Sequence, residues 1–163
     1  MRTHRLTIAR IAMATAMLVL TFAAASSSGC RWVREKIGIG TVIEDPEPGT
    51  PEATIKLAIE AAATPDEDKG WKKFRRLLHS EQRKSPASER SWRENNFRAF
   101  RKKWKYYVLD PDKMSFRIVR EREYEEEDGT LELFIENSKS EMPTPCSLKK
   151  DHDGAWRIMK CSL

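Results

Sequence analysis

The apolar residues of this chain change their period once, near residue 110, and that change sets the fold class. Before it, Ile55, Ala58, Ile59 and Ala62 recur at three- and four-residue spacing. Trp71, Phe74, Leu77 and Leu78 do the same, followed by Phe97, Phe100, Trp104, Tyr107 and Val108. At about 100° per residue, each set lies along one side of a helix. Beyond it, Met114, Phe116 and Ile118 alternate with Ser115 and Arg117. Leu131, Leu133 and Ile135 likewise alternate with Glu132, Phe134 and Glu136. A period of two is that of a half-buried strand. Helices followed by strands imply an α+β domain, with three N-terminal helices packed on an antiparallel sheet.

Local signals mark the boundaries. Thr50-Pro51-Glu52 combines a capping hydroxyl, proline at the first helical position and an acid in the first turn. Thr64-Pro65-Asp66-Glu67-Asp68 closes that helix and opens the next. Ser80 to Ser88 is polar, contains Pro86 and reads as a loop. The third and longest helix is expected from about Ser88 to Val108, with its aromatic stripe in the core. Asp128-Gly129 and Asp153-Gly154 are hairpin turn signals.

The second turn carries a covalent implication. A two-residue loop at Asp153-Gly154 sets His152 opposite Ala155, which puts Cys146 opposite Cys161 and pairs Leu148 with Met159. Facing Cα atoms at ~4.5–5.5 Å fall within the disulfide range. In that register the cysteines occupy a hydrogen-bonded pair, which calls for twisting or a bulge.

The first 29 residues have a different character. A basic head with Arg2, Arg5 and Arg10 precedes Ile11 to Ala25, a run without charge. At ~1.5 Å per residue this run spans about 22 Å, short of the ~30 Å hydrocarbon core, so it fits the core of an export signal. Small residues then lead into Ser27-Ser28-Gly29-Cys30. This sequence resembles the lipobox of bacterial lipoproteins. The resemblance implies cleavage before Cys30, a diacylglycerol on its thiol and, usually, an acyl (palmitate-type) chain on its new amino group. Ala23-x-Ala25 also fits ordinary cleavage and secretion, and an uncleaved anchor is the third reading. Of the three cysteines, lipidation of Cys30 would leave Cys146 and Cys161 as an even pair in an oxidising compartment.

Residues 30–49 then read as the lipidated cysteine and a flexible tether, with 50–163 as the globular domain. From Arg31 to Gly49 the chain has three glycines, two prolines and no sustained period. Fully extended it would reach roughly 60 Å. The alternative is that Ile37 to Ile43 forms a short strand of the fold.

The element order, ending in a Trp-x-Ile strand at Trp156-Arg157-Ile158, resembles the nuclear-transport-factor-two-like, or ketosteroid-isomerase-like, cone. That resemblance implies a bent antiparallel sheet wrapped around the long helix. A cystatin-like helix-on-sheet fold is the competitor.

Chemistry-bearing motifs are sparse. The chain has 30 Lys and Arg against 25 Asp and Glu; removing the leader leaves 27 against 25, which undercuts nucleic-acid binding. His79 and His152 have no spaced ligand partners, so neither a metal site nor a cofactor is expected. The cone resemblance implies proton transfer by Asp or Tyr in some members, and the residue types available are Tyr106, Tyr107, Asp110 and Tyr124. No spacing joins them, and no catalytic residue is assigned. Arg98, Arg101, Lys102 and Lys105 share a helix flank that could contact an anionic surface, or could be a solvated face balanced by the acids of residues 121–128.

These readings converge on a lipid-anchored protein of the cell envelope, on the periplasmic or outer-membrane side. Its domain is expected to be a non-enzymatic binding module for a small apolar ligand, a partner protein or anionic lipid. The alternative is a secreted cone-fold enzyme of the isomerase or hydratase type.

Overall fold

A computed structural model describes residues 40–124 and 129–163. The leader, Cys30 and most of the expected tether lie outside the described residues. The strands are β1 (Thr41–Ile43), β2 (Phe116–Tyr124), β3 (Thr130–Ile135), β4 (Thr144–Lys150) and β5 (Trp156–Cys161). They form one five-stranded sheet in the order β1-β2-β3-β4-β5, with every neighbouring pair antiparallel. The α+β class and the helix-on-sheet arrangement are therefore as the periodicity implies. The stretch expected to be tether differs. Thr41–Ile43 pairs with Ile118, Arg117 and Phe116, so these three residues belong to the sheet, as in the alternative reading of a short strand. Gly40 is needed there, because a Cβ would lie 2.4 Å from the Ile118 carbonyl oxygen.

Helix α1 (Pro51–Ala63) starts as its sequence dictates: the Thr50 hydroxyl accepts from the Ala53 N–H at 3.2 Å, and proline follows. Asp66 caps α2 (Glu67–Arg75) by accepting from the Lys69 N–H at 3.0 Å. The two helices approach closely at Gly70, where a Cβ would sit 2.6 Å from the Ala61 carbonyl oxygen.

The third helical stretch begins two residues earlier than its periodicity suggests, with Ser85 as its cap. It comprises α3 (Pro86–Ser91), a π-helical segment (Trp92–Phe97), α4 (Arg98–Lys103) and a 3-10 turn (Trp104–Tyr106). The π segment has a packing reason. Trp92 and Phe97 are five residues apart, about 140° out of phase on an α-helix. The wider turn lets both rings reach Phe74, with centroids at 6.2 and 5.1 Å. Phe74, Phe97 and Phe100 are at most 2% exposed, and Trp71 joins them against Phe97 at 5.6 Å. Each aromatic buried here contributes on the order of 1.5–3 kcal/mol.

One side of the sheet completes this core with Phe116, Ile118, Leu131, Leu133, Ile135, Cys146, Leu148 and Ile158. Phe134 alternates to the other side, where the Arg120 guanidinium covers its ring at 3.9 Å. Leu77 to His79 extends along β5: Ile158 donates its N–H to the Leu77 carbonyl, and His79 donates to the Ile158 carbonyl. This contact covers a strand edge that would otherwise offer free backbone groups.

The β4–β5 hairpin departs from its expected register in two places. Gly154 (φ +77°) donates to the Asp151 carbonyl, and Asp151 donates to the Ala155 carbonyl, closing a three-residue loop at 152–154 instead of a two-residue one. A bulge at Met159 then restores the count, so Leu148 faces Ile158, not Met159, while Cys146 still faces Cys161. A hydrogen bond from the Ser162 N–H to the Pro145 carbonyl makes the adjacent pair the bonded one. The cysteines thus occupy a close, non-hydrogen-bonded position.

Candidate functional site

The residues singled out in the sequence do not converge on one place. Cys30 lies outside the described residues. Cys146 and Cys161 face each other with Cα atoms 4.1 Å apart and sulfurs at bonding distance. Both are buried, at 0% and 5% exposure, and join the β4–β5 hairpin from within the core.

The basic flank divides into committed and uncommitted cations. Arg98 donates from Nε to Glu67 Oε1 at 3.0 Å, and this bond holds the Glu67 carboxyl below the usual range. Arg101 donates to the carbonyls of Ala62, Thr64 and Pro65, filling the acceptors left open where α1 ends. Its guanidinium also lies 5.9 Å from the Phe97 ring centroid. Lys102 and Lys105 are exposed and make no ion pair with a described residue; Lys105 lies 5.8 Å from the Trp104 ring.

A polar node that sequence reasoning missed stands at the start of the β4–β5 turn. The Asp151 side chain is 2% exposed. It accepts from the Ser80 N–H (3.0 Å), the Ser80 hydroxyl (2.8 Å), the His152 N–H (2.9 Å) and His152 Nδ1 (2.8 Å). Arg83 Nη2 is 3.6 Å away and His79 Nε2 3.8 Å away. Burial alone would push the carboxyl up, but the combined bonds from His152 and Ser80 hold it far below the normal carboxylate range. His79 is buried, and its Nδ1 accepts from the Glu81 N–H at 3.2 Å, capping the 3-10 turn Ser80–Arg83. Ser80, His152 and Asp151 do not form a nucleophile relay, since the serine hydroxyl bonds the carboxylate and not an imidazole. The node ties the chain after α2 to the last hairpin.

A cleft of about 600 Å³ opens between the third helical stretch and the sheet. Gln82, Ser88, Ser91, Trp92 and Asn96 form its helical side, and Thr130, Ser147, Met159 and Lys160 its strand side. Trp92 Nε1 donates to Gln82 Oε1 at 3.1 Å, and the Ser88 hydroxyl donates to the Gln82 carbonyl at 2.8 Å, so this wall is fixed. The spacing Ser88, Ser91, Trp92, Asn96 is itself a helical stripe and was legible, but a search for apolar stripes passes over it.

The tyrosines and aspartate considered for proton transfer remain apart. Tyr107 is 3% exposed and packs edge-on to Phe100 at 5.9 Å, and burial pushes its hydroxyl up. Tyr106 lies under the Lys139 ammonium at 5.6 Å. Asp110 caps a turn by accepting from the Asp112 N–H at 2.9 Å. The Tyr124 side chain is outside the described residues. Among the described residues, no three His, Cys, Asp or Glu side chains are placed to hold a metal ion. No helix among them is long and apolar enough to cross a membrane. No family model, curated protein or solved structure matches the chain.

Proposed function

We propose that this chain is a lipid-anchored cell-envelope protein, processed at Cys30, whose Gly40–Leu163 domain is a non-enzymatic binding module on the periplasmic or outer-membrane side. The observation that carries the binding-module reading is how the interior is filled. Phe74, Phe97, Phe100 and Phe116 occupy the space between helices and sheet, so recognition falls to the surface. Among the described residues, each carboxyl with a resolved shift (Asp66, Glu67, Glu89, Asp151 and Asp153) is held below its ordinary value. A carboxylic acid that donates protons near neutrality needs the opposite shift. The cone-like bend belongs to this reading and draws support from the two irregularities, at Ile118/Arg120 and Ser147/Leu148, since bulges bend strands. The membrane is the first partner, reached through the lipid. An envelope protein, a small ligand or anionic lipid is the second, with Lys102 and Lys105 as the cations left to meet an anionic surface; no nucleic acid is involved.

The second reading is the secreted cone-fold enzyme, which rests on Tyr107, a tyrosine buried against Phe100 beneath the sheet. The deciding experiment is intact-mass and terminal-peptide analysis of the mature protein. The proposal expects Cys30 as first residue carrying diacylglycerol; a soluble product beginning at Ser26 would favour secretion instead.

A further inference from the structure

We infer that one end of the domain, where the 3-10 turn Trp104–Tyr106 meets the β3–β4 loop, is a docking surface for a bilayer with anionic headgroups. The inference deepens the envelope reading by naming the surface for its anionic-lipid contact, and it does not depend on lipidation of Cys30. The topology gathers the parts. β2 begins, β3 ends and β4 begins at the same end of the antiparallel sheet, where Ile118 faces Ile135 and Ile135 faces Thr144. The segment leading from the third helical stretch into β2 and the loop joining β3 to β4 therefore lie together at that end. They touch: the Ser138 N–H donates to the Tyr106 carbonyl at 2.8 Å, and the Lys139 ammonium lies 5.6 Å from the Tyr106 ring centroid. Thr144, the first residue of β4, bonds the Tyr107 hydroxyl.

Two independent properties coincide here. The first is apolar exposure. Leu109 is 45% exposed and Met142 76%, two of the four large hydrophobic side chains exposed among the described residues. Each sits in a connecting segment, so neither is turned outward by the period of a helix or strand. Trp104 and Tyr106 are half-buried in the same segments. The second is charge. Residues 102–109 and 137–143 carry Lys102, Lys103, Lys105 and Lys139 against Glu141 alone. None of these ammonium groups makes an ion pair with a described residue; Lys105 and Lys139 face the Trp104 and Tyr106 rings instead. The Asp110 carboxylate, next along the chain, is taken up by the N–H groups of Asp112 and Lys113.

Exposed aliphatic side chains flanked by Trp, Tyr and Lys match a membrane–water interface. The aliphatic groups enter the acyl boundary, while the amphipathic rings and the ammonium groups stay among the headgroups. Each cation close to an anionic leaflet strengthens the attraction about fivefold. Other partners fit less well. A nucleic acid strand stacks its bases on open rings, whereas both rings here face the chain's own lysines. An acidic peptide would satisfy the cations and leave Leu109 and Met142 exposed.

The test is amide hydrogen exchange of the purified protein, read by mass spectrometry with vesicles of phosphatidylcholine and with vesicles of equal parts phosphatidylcholine and phosphatidylglycerol. A lipid on Cys30 would bring the whole domain near either membrane, so the signal is the difference between the two ends of the sheet. Exchange at residues 107–112 and 137–143 should slow about tenfold with the phosphatidylglycerol vesicles at low salt, and by less than about twofold with phosphatidylcholine alone. Residues 152–155, the turn at the opposite end, should be unchanged. Salt at about 0.5 M should remove the slowing. Leu109→Gln with Met142→Gln, and separately Lys105→Gln with Lys139→Gln, should each reduce it to below about twofold. Circular dichroism of both variants separates lost docking from lost folding. No slowing at this end, equal slowing at both ends, retention of the slowing by either folded variant, or the same slowing with polyglutamate or a DNA duplex in place of vesicles would overturn the assignment. The mass of the mature amino terminus is unaffected by any of these results, so the anchor reading stands or falls separately.

Discussion

The helical seam and the last hairpin of this domain are held by different physics. Between α2 and the third helical stretch, Trp71, Phe74, Trp92, Phe97 and Phe100 meet ring against ring at 5.1–6.2 Å, and their attraction is spread over many contacts. The β4–β5 hairpin instead depends on a few directional links: the Cys146–Cys161 pair at one end and the Asp151 carboxylate at the other. Burial of apolar area is insensitive to pH and redox state, while a cysteine pair responds to redox state and a carboxylate to pH. The seam should therefore respond to volume, and the hairpin to solution conditions.

The largest expected effect is at the seam. Phe97→Ala should cost about 3–5 kcal/mol, read as a lowered denaturant midpoint, because Phe97 is fully buried against the rings of Trp71 and Phe74. A cost below about 1 kcal/mol would mean that the seam is not packed as described.

Next comes the covalent link. Replacing both Cys146 and Cys161 by alanine should cost about 2–4 kcal/mol, and a reducing agent should destabilise the parent protein but not this variant. Equal sensitivity of the two to reductant would remove the link from the comparison.

Asp151→Asn is expected to cost about 1–3 kcal/mol at neutral pH, since the carboxylate receives bonds from both Ser80 and His152. The sign of its pH dependence follows from its depressed value. The folded state holds the charged form more firmly than the unfolded chain, so the contribution is complete above the ordinary value of 3.8 and is lost as pH falls below it. The difference in melting temperature between parent and variant should thus narrow in acid. A gap constant from pH 7 to pH 2 would sink this role.

The smallest effect is expected on the uncommitted flank. Lys102→Glu with Lys105→Glu should change stability by no more than about 0.5 kcal/mol, since neither ammonium pairs with a described residue. Arg101→Glu, by contrast, would strip three carbonyls of their donor.

Element order was legible because the hydrophobic period switches cleanly and because Thr50-Pro51 and Asp66 are strong caps. Three features were hidden or only partly legible. The π segment places Trp92 in the core from a position that α-helical phase puts off the stripe. Thr41–Ile43 was legible only as part of the alternative strand Ile37 to Ile43, since so short a run shows no period and pairing with β2 is what makes it a strand. In the last hairpin, Asp-Gly is compatible with two loop lengths, since glycine supplies the left-handed backbone in either. The loop adds a residue to one side, and the Met159 bulge compensates before the cysteines are reached. Cys146 opposite Cys161 was therefore readable from residue counting, whereas the Leu148 partner was not. The candidate cleft was harder still, because its strand-side residues come from three strands and no linear spacing joins them to Asn96.

The most direct test of an exported domain closed by its last hairpin is a non-reducing peptide map of protein alkylated at the moment of cell lysis. A peptide containing Cys146 linked to one containing Cys161 is the predicted result. Two separately alkylated thiols in the native protein would contradict it.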